Sequence, residues 1–344
     1  MPILPTSSIR TSRSPEQKTA VLLTLTAAVC GAALLSLRCG SQDYTLAELF
    51  SALLNGDSGS TVWRILIYVR IPRTLAAMLA GAALALAGAI IQAVLNNAMA
   101  SPSTIGVNAG AGFTAMLAAV LAPGISGMTP LAAFLGALLT AMLIYLLASR
   151  AGLSRTSLIL AGLAVSSILT AGSNTITLLS PETVVGASGF LLGGFSGVTL
   201  AAVKNAGWYL AAGAVLALVL AVDLNVLQLG EESAAGLGLH VGRTRFLAIL
   251  AAALLAGGAV SFCGLLGFVG LLVPHMVRRL LGGDNRRLFP AAALLGGTFV
   301  LICDVLARVL FAPFELPVGI IMSLLGGPFF LCLLLGRKRG RVYD

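Results

Sequence analysis

From Pro102 to Ser149 the chain carries no Asp, Glu, Lys, Arg or His. A run this long leaves little choice of fold. About 20 apolar residues at 1.5 Å rise cross a hydrocarbon core of about 30 Å. Inside lipid the backbone polar groups then have to pair within a helix. Similar runs recur along all 344 residues, of which only 10% are charged, and mean hydropathy is +1.01. A soluble domain of this size could not bury so many of them. The sequence predicts an all-α polytopic membrane protein. Its 40 glycines fit that class, because small residues let helix backbones approach where lipid removes the usual hydrophobic drive.

Ten spans are expected, near 19–37, 74–95, 104–122, 130–149, 156–179, 205–222, 246–263, 268–281, 288–307 and 316–336. The eighth is short and is expected to extend into flanking residues. The first follows Arg10, Arg13 and Lys18, is longer than a signal-peptide core and has no small-residue cleavage site after it, so it reads as uncleaved. The piece from Thr183 to Val203, uncharged and glycine-rich, reads either as an eleventh span or as a short helix at the membrane surface. Charge decides. With ten spans and the N-terminus inside, 15 Lys/Arg fall on the cytoplasmic side and six (Arg38, Arg64, Arg70, Arg73, Lys204, Arg308) outside. An eleventh span would move Arg243 and every later cluster outward, against the positive-inside rule. Both termini are therefore expected in the cytoplasm. The organisation is a tail over 1–18, one transmembrane domain over 19–336, and a basic tail over 337–344.

Several chemistries are missing. No G-x-x-x-x-G-K-[ST] occurs, so the chain has no phosphate cradle of its own. His240 and His275 stand far apart, without Cys or carboxylate at metal-ligand spacing. The five cysteines are scattered and form no CxxC. The net charge of +9 lies between apolar spans, where it suits lipid headgroups better than nucleic acid. Within the spans the clear ionisable residue is Asp304, one turn from Arg308, an i,i+4 pair near the outer surface. That leaves ion coupling poorly provided for. Catalysis is not expected, and neither is a metal or cofactor on this chain. Ala77, Gly81, Ala85, Ala89 and Ala93 form a small-residue stripe that reads as a close helix contact. Gln92, Asn97 and Asn174 are polar positions in or beside helices and candidates for lining a pathway.

The loop over 230–245 starts acidic (Glu231, Glu232), continues through Ser233, Ala234, Ala235, Leu237 and Gly238, and ends basic (Arg243, Arg245). Glu231 and Glu232 suit a helix N-terminus and Gly238 a helix end. On its own this short surface helix is either a connector or a docking element. The acidic–Ser–Ala–x–x–Leu–Gly run resembles the coupling helix of type II ABC importer permeases, the FecCD-type family that moves ferric siderophores, haem or cobalamin.

The resemblance covers nearly the whole chain. Arg70-Ile71-Pro72-Arg73-Thr74-Leu75-Ala76 is similar to the family's R-x-P-R-T-L-A. Leu158 to Gly162 and Phe190 to Gly197 follow its next signatures. Gly267-Phe268-Val269-Gly270-Leu271 through Pro274-His275 and Arg278 resembles G-F-[IV]-G-L-x-x-P-H-x-x-R. Glu315 to Gly319 and Gly326 to Phe330 complete the series. One stretch departs: Asn96-Asn97-Ala98-Met99-Ala100-Ser101-Pro102 stands where the family commonly has R-N-P-L-A-D-P.

The resemblance implies a permease of ten helices working as a homodimer in the bacterial plasma (inner) membrane. Two ATPase subunits would carry ATP and Mg, and an outer solute-binding protein would deliver an iron chelate. It assigns Arg70, Arg73 and Arg308 to docking that protein, and Glu231, Ser233, Ala234, Ala235, Leu237 and Gly238 to ATPase coupling. Ser154, Arg155, Thr156 and Ser157 would stand at a cytoplasmic gate. A ferric siderophore is the expected cargo. Haem or cobalamin, or in a different class an ion-coupled secondary transporter, are the alternatives.

Overall fold

The computed structural model describes residues 15–40, 44–55, 59–125, 127–152 and 154–336. Arg10 and Arg13, and the expected basic tail with Arg337, Lys338, Arg339 and Arg341, lie outside the described residues.

Described elements are helical almost throughout. α1 (Pro15–Arg38) leads to α2 (Leu46–Asn55) and α3 (Thr61–Ile65), which runs through a π-helical turn (Leu66–Arg70) into α4 (Ile71–Val94). After a 3₁₀ turn (Pro102–Ile105) come α5 (Val107–Leu121), α6 (Met128–Arg150), α7 (Arg155–Leu179), α8 (Pro181–Leu192) and α9 (Leu200–Val219). α10 (Ala221–Leu227) and α11 (Glu231–Gly236) are short. α12 (Val241–Cys263), α13 (Val269–Leu281), α14 (Asn285–Val309) and α15 (Val318–Gly336) complete the chain. Helices stand in all ten expected segments, and seven of the described ones are long and apolar enough to cross a membrane. α5, α13 and α15 occupy the other three.

Two segments depart from simple spans. α8 has 12 residues, about 18 Å at 1.5 Å per residue, too short to cross. Thr183 to Val203 is thus a short helix, a non-helical link and the first turn of α9, not an eleventh span. α13 has 13 residues and does not extend as expected. Phe268 in the left-handed region (φ 64°) and Gly282 (φ 87°) bound it. Residues 264–267 ahead of it stay non-helical. Their backbone is paired inside protein, with Leu265 N donating to Phe190 O and Gly194 N to Cys263 O, which is how irregular backbone survives at membrane depth.

The core is built on α4, α12 and α14. A Cβ on Gly81 would lie 2.2 Å from Gly296 O of α14, and one on Gly88 would lie 2.0 Å from Gly270 O of α13. The stripe read from the sequence is therefore a backbone-to-backbone contact, and these glycines admit no side chain. At one end of the bundle α1 and α14 finish and α4 begins (the arginine end). α10, α11 and the start of α14 lie at the other (the coupling end).

Candidate functional site

At the arginine end, the three side chains expected to face a docking protein are turned inward. Arg70, Arg73 and Arg308 are 5%, 7% and 4% exposed. Arg73 Nε donates to Asp304 Oδ1 at 3.0 Å, and its Nη1 pairs with Glu315 Oε2 at 2.7 Å. Asp304, fully buried, also holds Arg308 Nη2 at 3.0 Å. The i,i+4 pair read from the sequence is present, but Arg73, 231 residues away in the chain, is a third member.

The remaining guanidinium donors cap α1. Arg308 Nη1 reaches Ser36 O (3.2 Å) and Cys39 O (2.8 Å), and its Nη2 reaches Ser36 Oγ (2.9 Å). Arg70 donates to Leu37 O and Arg38 O and lies over the Tyr44 ring at 4.9 Å. Carbonyls at a helix C-terminus lack intrahelical donors, and cations there also oppose the helix dipole. In this chain these arginines are turned into the bundle rather than outward. They tie α1, α4 and α14 together and latch the chain before α15 through Glu315.

Gln92, a candidate pathway residue, lies between helices. It is 2% exposed. Pro274 inside α13 has no N–H, which leaves the carbonyl four residues earlier, Gly270 O, without its helical donor. Gln92 Nε2 donates to Gly270 O at 3.2 Å and to Leu271 O at 3.3 Å. Its Oε1 accepts from Arg278 Nη1. Arg278 is half-buried and held by this bond, while Arg279 is exposed. Gln92 fastens α13 to α4. Asn97 is exposed and closes a turn after α4, its Oδ1 accepting from Met99 N at 2.9 Å. Although the Asn96–Ser101 stretch departs from the family pattern, its chain remains orderly. Ser101 and Thr104 form a capping box at the 3₁₀ turn.

At the coupling end, α11 forms where the Glu231–Glu232 start and the Gly238 turn predict it. It is pinned rather than free. Glu231 pairs with Arg245 of α12, whose side chain is 1% exposed. Ala234 is 0% exposed, packed inside the chain itself. Of the expected coupling residues, Ala234 is therefore an internal anchor, while Ser233, Ala235, Leu237 and Gly238 point outward. Leu237, 68% exposed, is a large apolar side chain at the rim of the bundle. Sequence reading missed Asn225, whose Nδ2 donates to Asp284 Oδ1 at 2.7 Å and whose Oδ1 accepts Asn285 N at 2.9 Å. Burial pushes the Asp284 carboxyl up, but Asn225 and Arg286 more than offset this and hold it below the usual carboxylate range. Nothing in residue spacing marks a contact between positions 225 and 284.

The gate candidates begin α7. Ser154 is its N-cap, accepting from Ser157 N at 3.0 Å. Ser157 Oγ donates to Ala151 O at 3.1 Å. Thr156 is exposed and Arg155 half-buried. Asn174 lies further along α7, exposed, with Ser167 and Thr170 exposed on the same face at i−7 and i−4. A cleft of about 870 Å³ lies beside Phe134, Tyr209 and Trp208.

A bundle of apolar helices, some short or interrupted, with a short helix pinned at one end, is the architecture of a multi-pass membrane transport subunit. The chain matches the FecCD transport family over residues 26–336 and belongs to that family. It is 40% identical over 296 residues to the cobalamin import permease BtuC of Halobacterium salinarum, covering 85% of this chain and 79% of that one. It is 37% identical over 315 residues to the iron(3+)-hydroxamate import permease FhuB of Bacillus subtilis, covering 91% and 82%. A solved inward-facing metal-chelate type ABC transporter superposes with TM-score 0.81 at 27% identity, covering 92% of this chain and 99% of that one. This chain is a multi-pass transport subunit, the permease of a metal-chelate type ABC importer, and not an enzyme.

Proposed function

We propose that the chain forms, with a second copy of itself, the membrane pathway for a ferric siderophore delivered by a solute-binding protein and driven by two ATPase subunits. The observation that carries this reading is α11. It is anchored inward by Ala234 and Glu231–Arg245 and offers Ser233, Ala235 and Leu237 outward. A bare leucine at the end of a membrane bundle suits a packed protein contact better than water. ATP and Mg belong to the partner. The coupling end, with α11, is cytoplasmic and so are both termini, supported by the 15-to-6 charge partition and by α8 being too short to change the count.

The binding protein meets the opposite end. Arg70, Arg73 and Arg308 act there as the frame of the docking face. The gate lies where α7 begins at Ser154 to Ser157. The pathway wall is the α7 face with Ser167, Thr170 and Asn174. An exposed amide on a spanning helix faces protein or a water-filled cavity, not lipid. These groups are uncharged, which fits a bulky chelate with its metal wrapped inside.

The test is reconstitution into vesicles with the ATPase and binding protein encoded beside it, offering ferric hydroxamate, haemin and cobalamin in turn. ATP-dependent uptake of the ferric hydroxamate alone is the expected result. Ala235→Glu together with Leu237→Glu is expected to abolish co-purification of the ATPase, because a charge is then desolvated at the contact, while membrane insertion stays normal. Uptake that follows an ion gradient without ATP would replace this reading with a secondary transporter.

A further inference from the structure

The N-terminus of α14 is capped by a side chain from another helix. Two of its free N–H groups are visibly satisfied. Arg286 N is bonded by Asp284 Oδ1 at 3.1 Å, the ordinary N-cap arrangement. Asn285 N is bonded by Asn225 Oδ1 at 2.9 Å. The other half of the same amide, Nδ2, holds the capping carboxylate at 2.7 Å. One side chain thus grips the cap and the first turn of α14 together. Asn225 belongs to α10, between the buried anchors Leu224 and Leu227, and α10 is joined to α11 by only three residues, Gln228 to Gly230.

α14 is suited to carry a displacement. Its 25 residues make a rod of about 37 Å, packed against α4 without side chains between them at Gly81 and Gly296. At its far end Asp304 holds both Arg308 and Arg73, and through Arg73 it is tied to Glu315 in the link into α15. A shift of the first turn therefore has a continuous, stiff route to the opposite side of the membrane.

We propose that Asn225 is the positioning residue through which the coupling segment moves α14, so that ATPase movement at α11 reaches the arginine end. This rests on α11 being the ATPase contact. Asn225 itself lies outside that contact, so it adjusts how movement is passed on without deciding whether the ATPase binds.

The amide is the one group at this position that donates to Asp284 and accepts from Asn285 N at once. Asn225→Asp would set two carboxylates face to face. Asn225→Ser would remove both bonds without adding charge. Exchanging the pair, Asn225→Asp with Asp284→Asn, restores one donor and one acceptor with the partners reversed. Each variant is measured in proteoliposomes holding the ATPase and binding protein, for assembly, thermal stability and substrate taken up per ATP hydrolysed.

Asn225→Asp and Asn225→Ser are expected to co-purify with the ATPase and to lower uptake per ATP roughly five- to tenfold. The exchanged pair should return to within about twofold of the parent, since its two changes are coupled and not additive. A merely structural role would lower stability and leave the ratio alone. Singles that keep the parental ratio, or an exchange that rescues stability but not the ratio, would overturn the proposal and leave Glu231–Arg245 as the route. If the parent chain itself neither binds the ATPase nor transports, the importer reading fails first, and that outcome is visible before any variant is made.

Discussion

α4 and α7 are both apolar enough to cross a membrane, yet most of α4 is buried inside the chain while most of α7 is exposed. Hydropathy does not explain the difference. α4 presents Gly81, Ala85 and Gly88 to backbone on α13 and α14, and its two polar ends are consumed internally by Arg73 and Gln92. α7 presents Ser167, Thr170 and Asn174 outward. In a bilayer apolar character alone brings no two helices together, so close packing of small residues decides what becomes frame. Outward polar groups mark what is left for a partner or a passage. The frame includes the coupling segment, because Asn225, Ala234 and Glu231 bind it to α14 and α12. α7 stays mostly exposed.

Breaking the frame should have the largest effect. Arg73→Glu would place a third carboxylate beside Asp304 and Glu315 in a site where the wild-type side chains are 8%, 0% and 36% exposed. Breaking a buried pair in this way costs about 3–5 kcal/mol. The variant should fail to accumulate as folded protein, even with no binding protein present. Accumulation at the parental level with normal thermal stability would return Arg73 to the docking role that its sequence position first suggested.

A smaller effect separates the two helices directly. Gly88→Val has to displace Gly270 backbone and is expected to lose about 1–3 kcal/mol or more in a detergent melt. Ser167→Val on α7, also a larger apolar replacement, should stay within about 0.5 kcal/mol, while lowering transport. Equal destabilisation by the two would mean that α7 belongs to the frame.

How far the sequence could be read follows from the same contrast. The ten helical segments were legible because the bilayer sets a length that composition alone can meet. Their ends were less so. The expected second span began at 74, because Arg64, Arg70 and Arg73 looked like a boundary. The helix starts at Thr61, since two of those arginines are buried against the carbonyls of α1 and a carboxylate of α14. α13 was expected to lengthen, but Phe268 turns left-handed and fixes its start at Val269.

Site residues divided by range. α11, set by local signals, appeared where expected. Pairings across hundreds of residues, Arg73 with Asp304 or Gln92 with Gly270, leave no trace in spacing. Ala234 illustrates the remaining ambiguity, because a small residue suits a contact with a partner and a contact within the chain equally well. Only its zero exposure separates them.

On the proposed reading, the exposed α7 face carrying Asn174 meets water in the assembled importer, and the exposed face of α9 carrying Val215 meets lipid. In a chain freed of its five cysteines, Asn174→Cys and Val215→Cys (wild-type Val215 being 61% exposed) can be treated with a charged, membrane-impermeant maleimide on the complete transporter in vesicles. Rapid labelling at 174, altered when ATP is bound, and almost none at 215 are expected. Equal shielding of both positions, or labelling at 215 alone, would contradict that reading.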